Sequence, residues 1–292
     1  MKRRDFLKTS LWTASAALAR PQSPANPTAA PVLGVRHAND VVYLGPDRVK
    51  LSRLAMGTGT KGGRGSSNQT RQLGLSGLSD LYWFGYDQGV TFWDSADSYG
   101  SHPHLKEALK RIPREKICIM TKTRSKTAED MRKDLDRFRQ EIGADYLDII
   151  LLHAVREPDW PEQRKGAMEV LSRARQDGIL RTHGVSCHSL EALETAARTP
   201  WVRVDLARIN PIGAMMDSGP DTVLPVLRRM KAAGKGVIGM KIIGEGAMRD
   251  RVPEALQYAM ALDCIDCFTI GAEDRQELAD LLRRIPAACR AA

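Results

Sequence analysis

From Leu51 to Ile285 the chain repeats one pattern eight times, a short apolar run followed by an amphipathic helical segment. LSRLAMGTG precedes GLSDLYWFGYDQG, TFWDSA precedes HLKEALKRI, and ICIMTKT precedes a helix expected over 128–142. LDIILLH leads into PEQRKGAMEVLSRARQDG, RTHGVSC into SLEALETAART, and VDLARIN into TVLPVLRRMKAAG. VIGMKII with PEALQYAMALD, and CFTIGA with DRQELADLLRRI, complete the series. Strands separated by helices pair in parallel, because the connection must cross back over the sheet. Eight such units in about 235 residues match an α/β fold of the (β/α)8 TIM-barrel type in number and length. A doubly wound open sheet is the rival, but no G-x-G-x-x-G follows the first strand. Upstream, VVYLGPDRVKLS reads as a β-hairpin turning at Gly45-Pro46-Asp47.

In a parallel barrel the C-terminal strand ends meet on one face, so ionisable residues there converge. Asp94 closes the run Thr91–Trp93, Tyr99 follows in the loop, Lys122 closes Ile117–Thr121, and His153 ends LDIILLH. Buried lysines are rare, and Lys122 sits where a core side chain belongs, so it needs a carboxylate partner; Asp94 is the natural one. Carboxylate, ammonium, phenol and imidazole together form a proton-transfer device. A phenol titrates near 10, and an adjacent ammonium is expected to lower that value. Asp97, two residues from Tyr99, reads as a loop residue, either at the surface or supporting the site from behind.

FWDSADSYG, IMTKT, YLDIILLH and GVSCHS, in this order, resemble the aldo/keto reductase superfamily, and the resemblance covers nearly all of 51–285. It implies that Asp94, Tyr99, Lys122 and His153 are the catalytic tetrad of an NAD(P)H-dependent reductase of small carbonyl compounds. It also implies that the hairpin plugs the bottom of the barrel. Gly57-Thr58-Gly59 resembles the loop near the nicotinamide, and Ser186 matches a residue that contacts it. Cys187 stands where the family usually has asparagine, and Leu206 stands near a glutamine position. Met240 replaces the aromatic that stacks on the ring, and Lys241 beside it is in reach of a phosphate. NADP-specific relatives carry Lys-Ser where this chain has Gly271-Ala272, and an arginine where it has Glu277; Arg275 is the nearest cation. A carboxylate repels a 2′-phosphate and accepts from a ribose hydroxyl, so NADH is expected to serve at least as well as NADPH. The weakened nicotinamide contacts leave a regulatory, dinucleotide-binding barrel with little turnover as the alternative, against which all four tetrad residues argue.

Residues 1–19, MKRRDFLKTSLWTASAALA, read as a cleavable signal. Lys2, Arg3, Arg4 and Lys8 precede a short apolar core over 11–18, and Ala17-Leu18-Ala19 is a small-x-small cleavage site. The apolar run is too short to span a bilayer comfortably, so no stable membrane anchor is expected after cleavage. Arg3-Arg4-Asp5-Phe6-Leu7-Lys8 looks like the twin-arginine (Tat) motif, which predicts recognition by the Tat machinery and a periplasmic destination. Residues 20–34 are Pro- and Ala-rich and read as a linker, leaving 35–292 for the barrel.

The signal carries four basic residues and one acidic, so its removal lowers the net charge from +9 to +6. The remaining charges alternate in sign, as in AEDMRKDLDRFRQEIG, which describes a solvated face rather than a nucleic-acid surface. Of five cysteines, Cys264 and Cys267 form a C-x-x-C at the start of CFTIG, without a thioredoxin-like context. They are expected to be ordinary thiols, and one such pair does not make a zinc site. His102-Pro103-His104 imitates the H-x-H of metal-dependent barrel hydrolases, but no further His/Asp ligands end the other strands, so no metal is expected. Ser101 is expected to cap the helix there, with Pro103 in its first turn, and one of the two histidines to face substrate. His183 and His188 flank a strand; His188 is placed at the pocket mouth.

Overall fold

The computed structural model describes residues 35–290; the signal and linker expected over 1–34 lie outside the described residues. A hairpin, β1 (Val41–Leu44) and β2 (Val49–Ser52), comes first, with Leu44 opposite Val49. Eight parallel strands then close a barrel: β3 (Leu54–Gly57), β4 (Phe92–Asp94), β5 (Cys118–Thr123), β6 (Leu147–Val155), β7 (Leu180–Cys187), β8 (Val204–Arg208), β9 (Gly236–Met240) and β10 (Cys267–Ile270). Closure comes from β10 against β3, with Phe268 opposite Leu54. The helices are α1 (Asn68–Asp87), α2 (His102–Ala108), α3 (Ala128–Ile142), α4 (Trp160–Gln163), α5 (Lys165–Gln176), α6 (Leu190–Arg198), α7 (Pro220–Ala232), α8 (Val252–Ala261) and α9 (Arg275–Arg290). The eightfold alternation therefore yields the expected barrel. No described helix is long and apolar enough to cross a membrane.

Each helix forms for local reasons and buries one stripe. In α3, the Thr127 side chain accepts from the Asp130 N–H, and Gly143 ends the helix at φ 72°. Met131, Leu135, Phe138 and Ile142 recur at helical spacing and are its buried face. Burying each contributes roughly 1.5–3 kcal/mol before the entropy cost of ordering it. The first helix begins well before the expected GLSDLYW segment. Ser67 and Thr70 form a reciprocal capping box, and Gly74 (φ 61°) breaks the helical backbone within α1.

Strand alternation sorts the apolar residues into two layers. Leu44, Val49 and Leu51 of the hairpin join Ala55, Phe92, Met120, Ile149, Leu151, Val204, Leu206 and Ile238 in one cluster inside the barrel. The hairpin thus plugs the N-terminal end, and the turn residue Asp47 fastens it there to Arg175, Thr182 and Arg203. A Cβ at Gly236, the first residue of β9, would lie 2.7 Å from Leu44, so the plug requires glycine.

Candidate active site

The four strand-end residues meet at the C-terminal mouth. Asp94, Lys122 and His153 are 5%, 1% and 6% exposed, and Tyr99 is half-buried. The Lys122 ammonium donates to Asp94 Oδ1 in a short contact and to the Ser95 carbonyl at 2.7 Å. It lies 4.8 Å from the centre of the Tyr99 ring. The His153 ring stands edge-on to Tyr99 at 5.7 Å and to His188 at 6.1 Å. Just after His153 the β6–β7 register slips between Leu152 and Val155, with Ala154 at φ 53°. A bulge of this kind re-aims neighbouring side chains, and backbone strain concentrates at functional sites. Gly59 frames the phenol: a Cβ there would lie 2.5 Å from the Tyr99 ring.

Electrostatics assign each group a state. Burial works against the Lys122 ammonium, but the Asp94 and Tyr99 oxygens more than compensate and hold its pKa above the usual value. Burial, reinforced by the Lys122 charge, pushes the His153 pKa well below the ordinary histidine range, so the ring is neutral. The expectation for Tyr99 is reversed. Burial raises its pKa more than the nearby Lys122 lowers it, so the phenol holds its proton more tightly than in water. A hydroxyl frame that sequence reasoning missed supports the pair. Thr269 donates to Asp94 Oδ2 at 2.9 Å, and Thr58 donates to the Asp94 carbonyl at 2.9 Å. Ser101 lies 2.9 Å from the Thr58 hydroxyl and 2.7 Å from that of Ser95, so its side chain braces the loop instead of capping α2 as expected.

The cofactor candidates separate into those at the mouth and those turned away. Gly57, Thr58 and Gly59 run from the end of β3, and Ser186 alternates with the outward residues Val185 and Cys187, so it points into the barrel. The Ser186 hydroxyl is buried with no partner among the described residues. Cys187 instead lies in the helix layer beside Asp205; burial first, then that carboxyl, push its thiol well above the usual range. It is therefore not brought into the barrel. Met240 lines the interior cluster. Lys241 (φ 60°) is engaged by Glu245 at 3.1 Å rather than left free for a phosphate. Gly271 and Ala272 follow β10; a Cβ on Gly271 would lie 2.6 Å from Thr60 Oγ1, so this loop presses on the β3–α1 loop. Arg275 opens α9, its guanidinium 5.8 Å from the Phe84 ring centre. Glu277 accepts from the Glu273 N–H at 2.8 Å while Asp274 accepts from the Glu277 N–H at 2.7 Å, an N-terminal cap for α9. The Ser186 hydroxyl and Arg275, which opens α9 with no carboxylate partner among the described residues, fit a dinucleotide, whose amide and phosphates need such partners.

Other sequence candidates lie elsewhere. His102 is buried between Glu141 (2.7 Å) and Thr121 (2.8 Å), so it supports α2 and does not face a substrate. Asp97, as expected, is a loop residue, paired with Arg137 at 2.7 Å. His183 lies within β7, not beside it, and stacks on Trp201 at 4.3 Å and 12°. Cys264 belongs to the outer layer and Cys267 to the barrel interior, so the two thiols do not form a pair.

A profile of the aldo/keto reductase family matches residues 53–284. The chain belongs to that family. It is 28% identical over 222 residues to a Glycine max protein named "Probable aldo-keto reductase 1", covering 68% of this chain and 62% of that one. It is 24% identical over 170 residues to the "NADH-specific methylglyoxal reductase" of Escherichia coli strain K12, covering 50% of this chain and 51% of the relative. The chain therefore aligns with less than two thirds of the length of either protein. A crystal structure of a candidate aldo-keto reductase from Pseudomonas aeruginosa superposes with TM-score 0.71 at 20% identity, covering 87% of this chain and 97% of that one.

Proposed function

We propose that this chain is an exported NAD(P)H-dependent oxidoreductase that reduces an aldehyde or ketone to an alcohol, or runs the reverse reaction. The observation that carries the reading is the buried ammonium of Lys122, fixed by Asp94 and set against the Tyr99 ring. A substrate carbonyl oxygen sits between Tyr99 and His153. Tyr99 donates its proton to that oxygen as the carbon is reduced. The Lys122 charge stabilises the phenolate left behind, so a phenol with a raised resting pKa still gives up its proton in the transition state. His153, neutral, orients the carbonyl through a ring N–H. When bound, the dinucleotide supplies the hydride; Ser186 would hold its carboxamide and the α9 N-terminus with Arg275 its phosphates. The name of the Escherichia coli relative supports acceptance of NADH.

The test is Tyr99→Phe, which keeps the ring in place and removes the acid. Carbonyl reduction should fall by roughly 10²–10⁴-fold, the usual contribution of a positioned acid, while dinucleotide binding stays near that of the wild type. Near wild-type turnover would overturn the assignment. Export rests on Arg3-Arg4 and Ala17-Leu18-Ala19. It predicts a periplasmic form beginning at Arg20, and undiminished export after Arg3→Lys with Arg4→Lys would remove the twin-arginine route.

A further inference from the structure

The rim of the barrel above β5 and β6 carries more positive charge than its own residues neutralise. Arg124 follows the last residue of β5, two positions after Lys122, and Arg156 follows the last residue of β6, three after His153. Both are exposed, and among the described residues neither has a carboxylate within ion-pair distance. Arg164, beside Arg124, is only 4% exposed. Its Nη1 reaches the Arg124 carbonyl at 3.4 Å, its Nη2 lies 4.0 Å from Glu157, and its Nε has no partner among the described residues. A guanidinium has five N–H donors, and a buried one with a single long hydrogen bond and a distant carboxylate is far from satisfied. Burial holds its pKa below the usual arginine value, as an uncompensated interior cation requires.

The opposite side of the mouth is different. There Lys241 is matched by Glu245 at 3.1 Å. The barrel order β10-β3-β4-β5-β6-β7-β8-β9 sets β5 and β6 across from β9 and β10, where the α9 N-terminus with Arg275 fits the dinucleotide. The free charges therefore face whatever occupies the substrate side. Lys122, Arg124 and Arg164 act as positive charges on His153, and Arg156 acts likewise on His188.

We propose that Arg124, Arg156 and Arg164 form a subsite for an oxyanion carried by the substrate, so that the carbonyl compounds this enzyme handles are acidic ones, bearing a carboxylate or a phosphate. The inference rests on the reductase reading of the same site and names its substrate class. A planar carboxylate or a phosphate accepts the paired N–H donors of a guanidinium, and either would complete the buried Arg164. The anion would also anchor the substrate at the end remote from its carbonyl, which holds the reacting oxygen near Tyr99.

The experiment compares para-substituted benzaldehydes that differ in charge: 4-formylbenzoate, 4-formylphenyl phosphate, benzaldehyde itself and the 4-trimethylammonio compound. The anionic aldehydes should show kcat/KM roughly tenfold or more above benzaldehyde, equivalent to about 1.4 kcal/mol, with the cationic aldehyde below it. Added salt should compress the differences. Arg124→Gln and Arg156→Gln should raise KM for the anionic aldehydes several-fold while leaving benzaldehyde reduction unchanged. Comparison of the two anions identifies which one the subsite prefers. Equal kcat/KM for all four compounds would overturn the subsite and leave the reductase reading standing. If none is reduced, that reading fails, and calorimetric titration with benzoate against benzyl alcohol still decides the subsite. Benzoate binding that weakens in both arginine variants supports it, and no benzoate binding overturns it.

Discussion

At the N-terminal end of the barrel, Asp47 accepts from Arg175 at 2.7 Å, from Thr182 at 2.6 Å and from two nitrogens of Arg203. At the C-terminal end, Ser186 and Arg164 carry buried polar atoms with no partner among the described residues, and Arg124 and Arg156 are exposed with no carboxylate there in ion-pair range. Both ends are built from strand termini and loops, so secondary structure does not explain the contrast. A plug needs its polar atoms satisfied within the chain, because an unpaired buried group costs stability. A binding mouth must leave groups unsatisfied, because their partners arrive with the ligand. The Asp94–Lys122 pair sits in the mouth but obeys the rule of the plug. It is saturated by Ser95 and Thr269, since its task is to hold a charge still.

The sharpest way to break the contrast is Lys122→Met. Asp94 would be left as a buried carboxylate without its cation, so stability should fall by roughly 3–5 kcal/mol and activity should vanish. Denaturant unfolding and turnover measured together check this; a variant that is inactive yet fully stable would mean that the pair contributes nothing to the fold. At the other end, Asp47→Asn should leave kcat untouched and cost on the order of 2 kcal/mol. The Asp47 pKa is lowered from 3.8 to about 2 because hydrogen bonds from Arg203, Arg175 and Thr182 outweigh its burial. A depressed carboxylate contributes stability that is present above pH 3.8 and lost as pH falls towards about 2. The denaturant-measured stability of the Asn variant should therefore respond less to pH across that window, and an unchanged profile would discount the network.

A third prediction reads the mouth through pH. His153 is already neutral, and the Tyr99 phenol is held above its ordinary value. Reduction should therefore stay nearly constant through neutral pH and through the ordinary phenol range, and fall about tenfold per unit only above that range, as the phenol loses its proton. A midpoint near pH 7–8 would show instead that the Lys122 charge dominates burial.

The sequence made the barrel and the convergence of Asp94, Tyr99, Lys122 and His153 legible for physical reasons. Eight helix-period segments alternating with short apolar runs leave few other topologies, and Lys122 at the end of an apolar run required a carboxylate. What stayed hidden depended on direction and burial. Thr58, Ser101 and Thr269 are hydroxyls that could face either layer, so their convergence on the pair had no signature along the chain. Cys187 was placed beside the nicotinamide by analogy, but strand alternation turns it outward. The sign of the Tyr99 shift depended on how deeply the ring is buried, which no local spacing states. The first half of α1 escaped because NQTRQ is polar and Gly74 interrupts the helical period.

The smallest effect expected is at Glu277, and it tests whether the dinucleotide side of the mouth shares the economy of the plug. Its carboxylate was expected to select NADH by repelling a 2′-phosphate, yet the structure engages it in capping α9 through the Glu273 N–H. The two roles are compatible, because one carboxylate oxygen serves the cap and the charge remains. Glu277→Gln keeps an acceptor for the cap and removes the charge, whereas Glu277→Arg removes both. If the charge selects the cofactor, Gln should improve NADPH binding several-fold with little change in melting temperature. Arg should improve it further, while costing about 1 kcal/mol of stability through the lost cap. If Glu277 is only a cap, Gln should leave both cofactor affinities unchanged and Arg should alter stability alone. Fluorescence titration of NADH and NADPH against the two variants, with their melting curves, separates these outcomes.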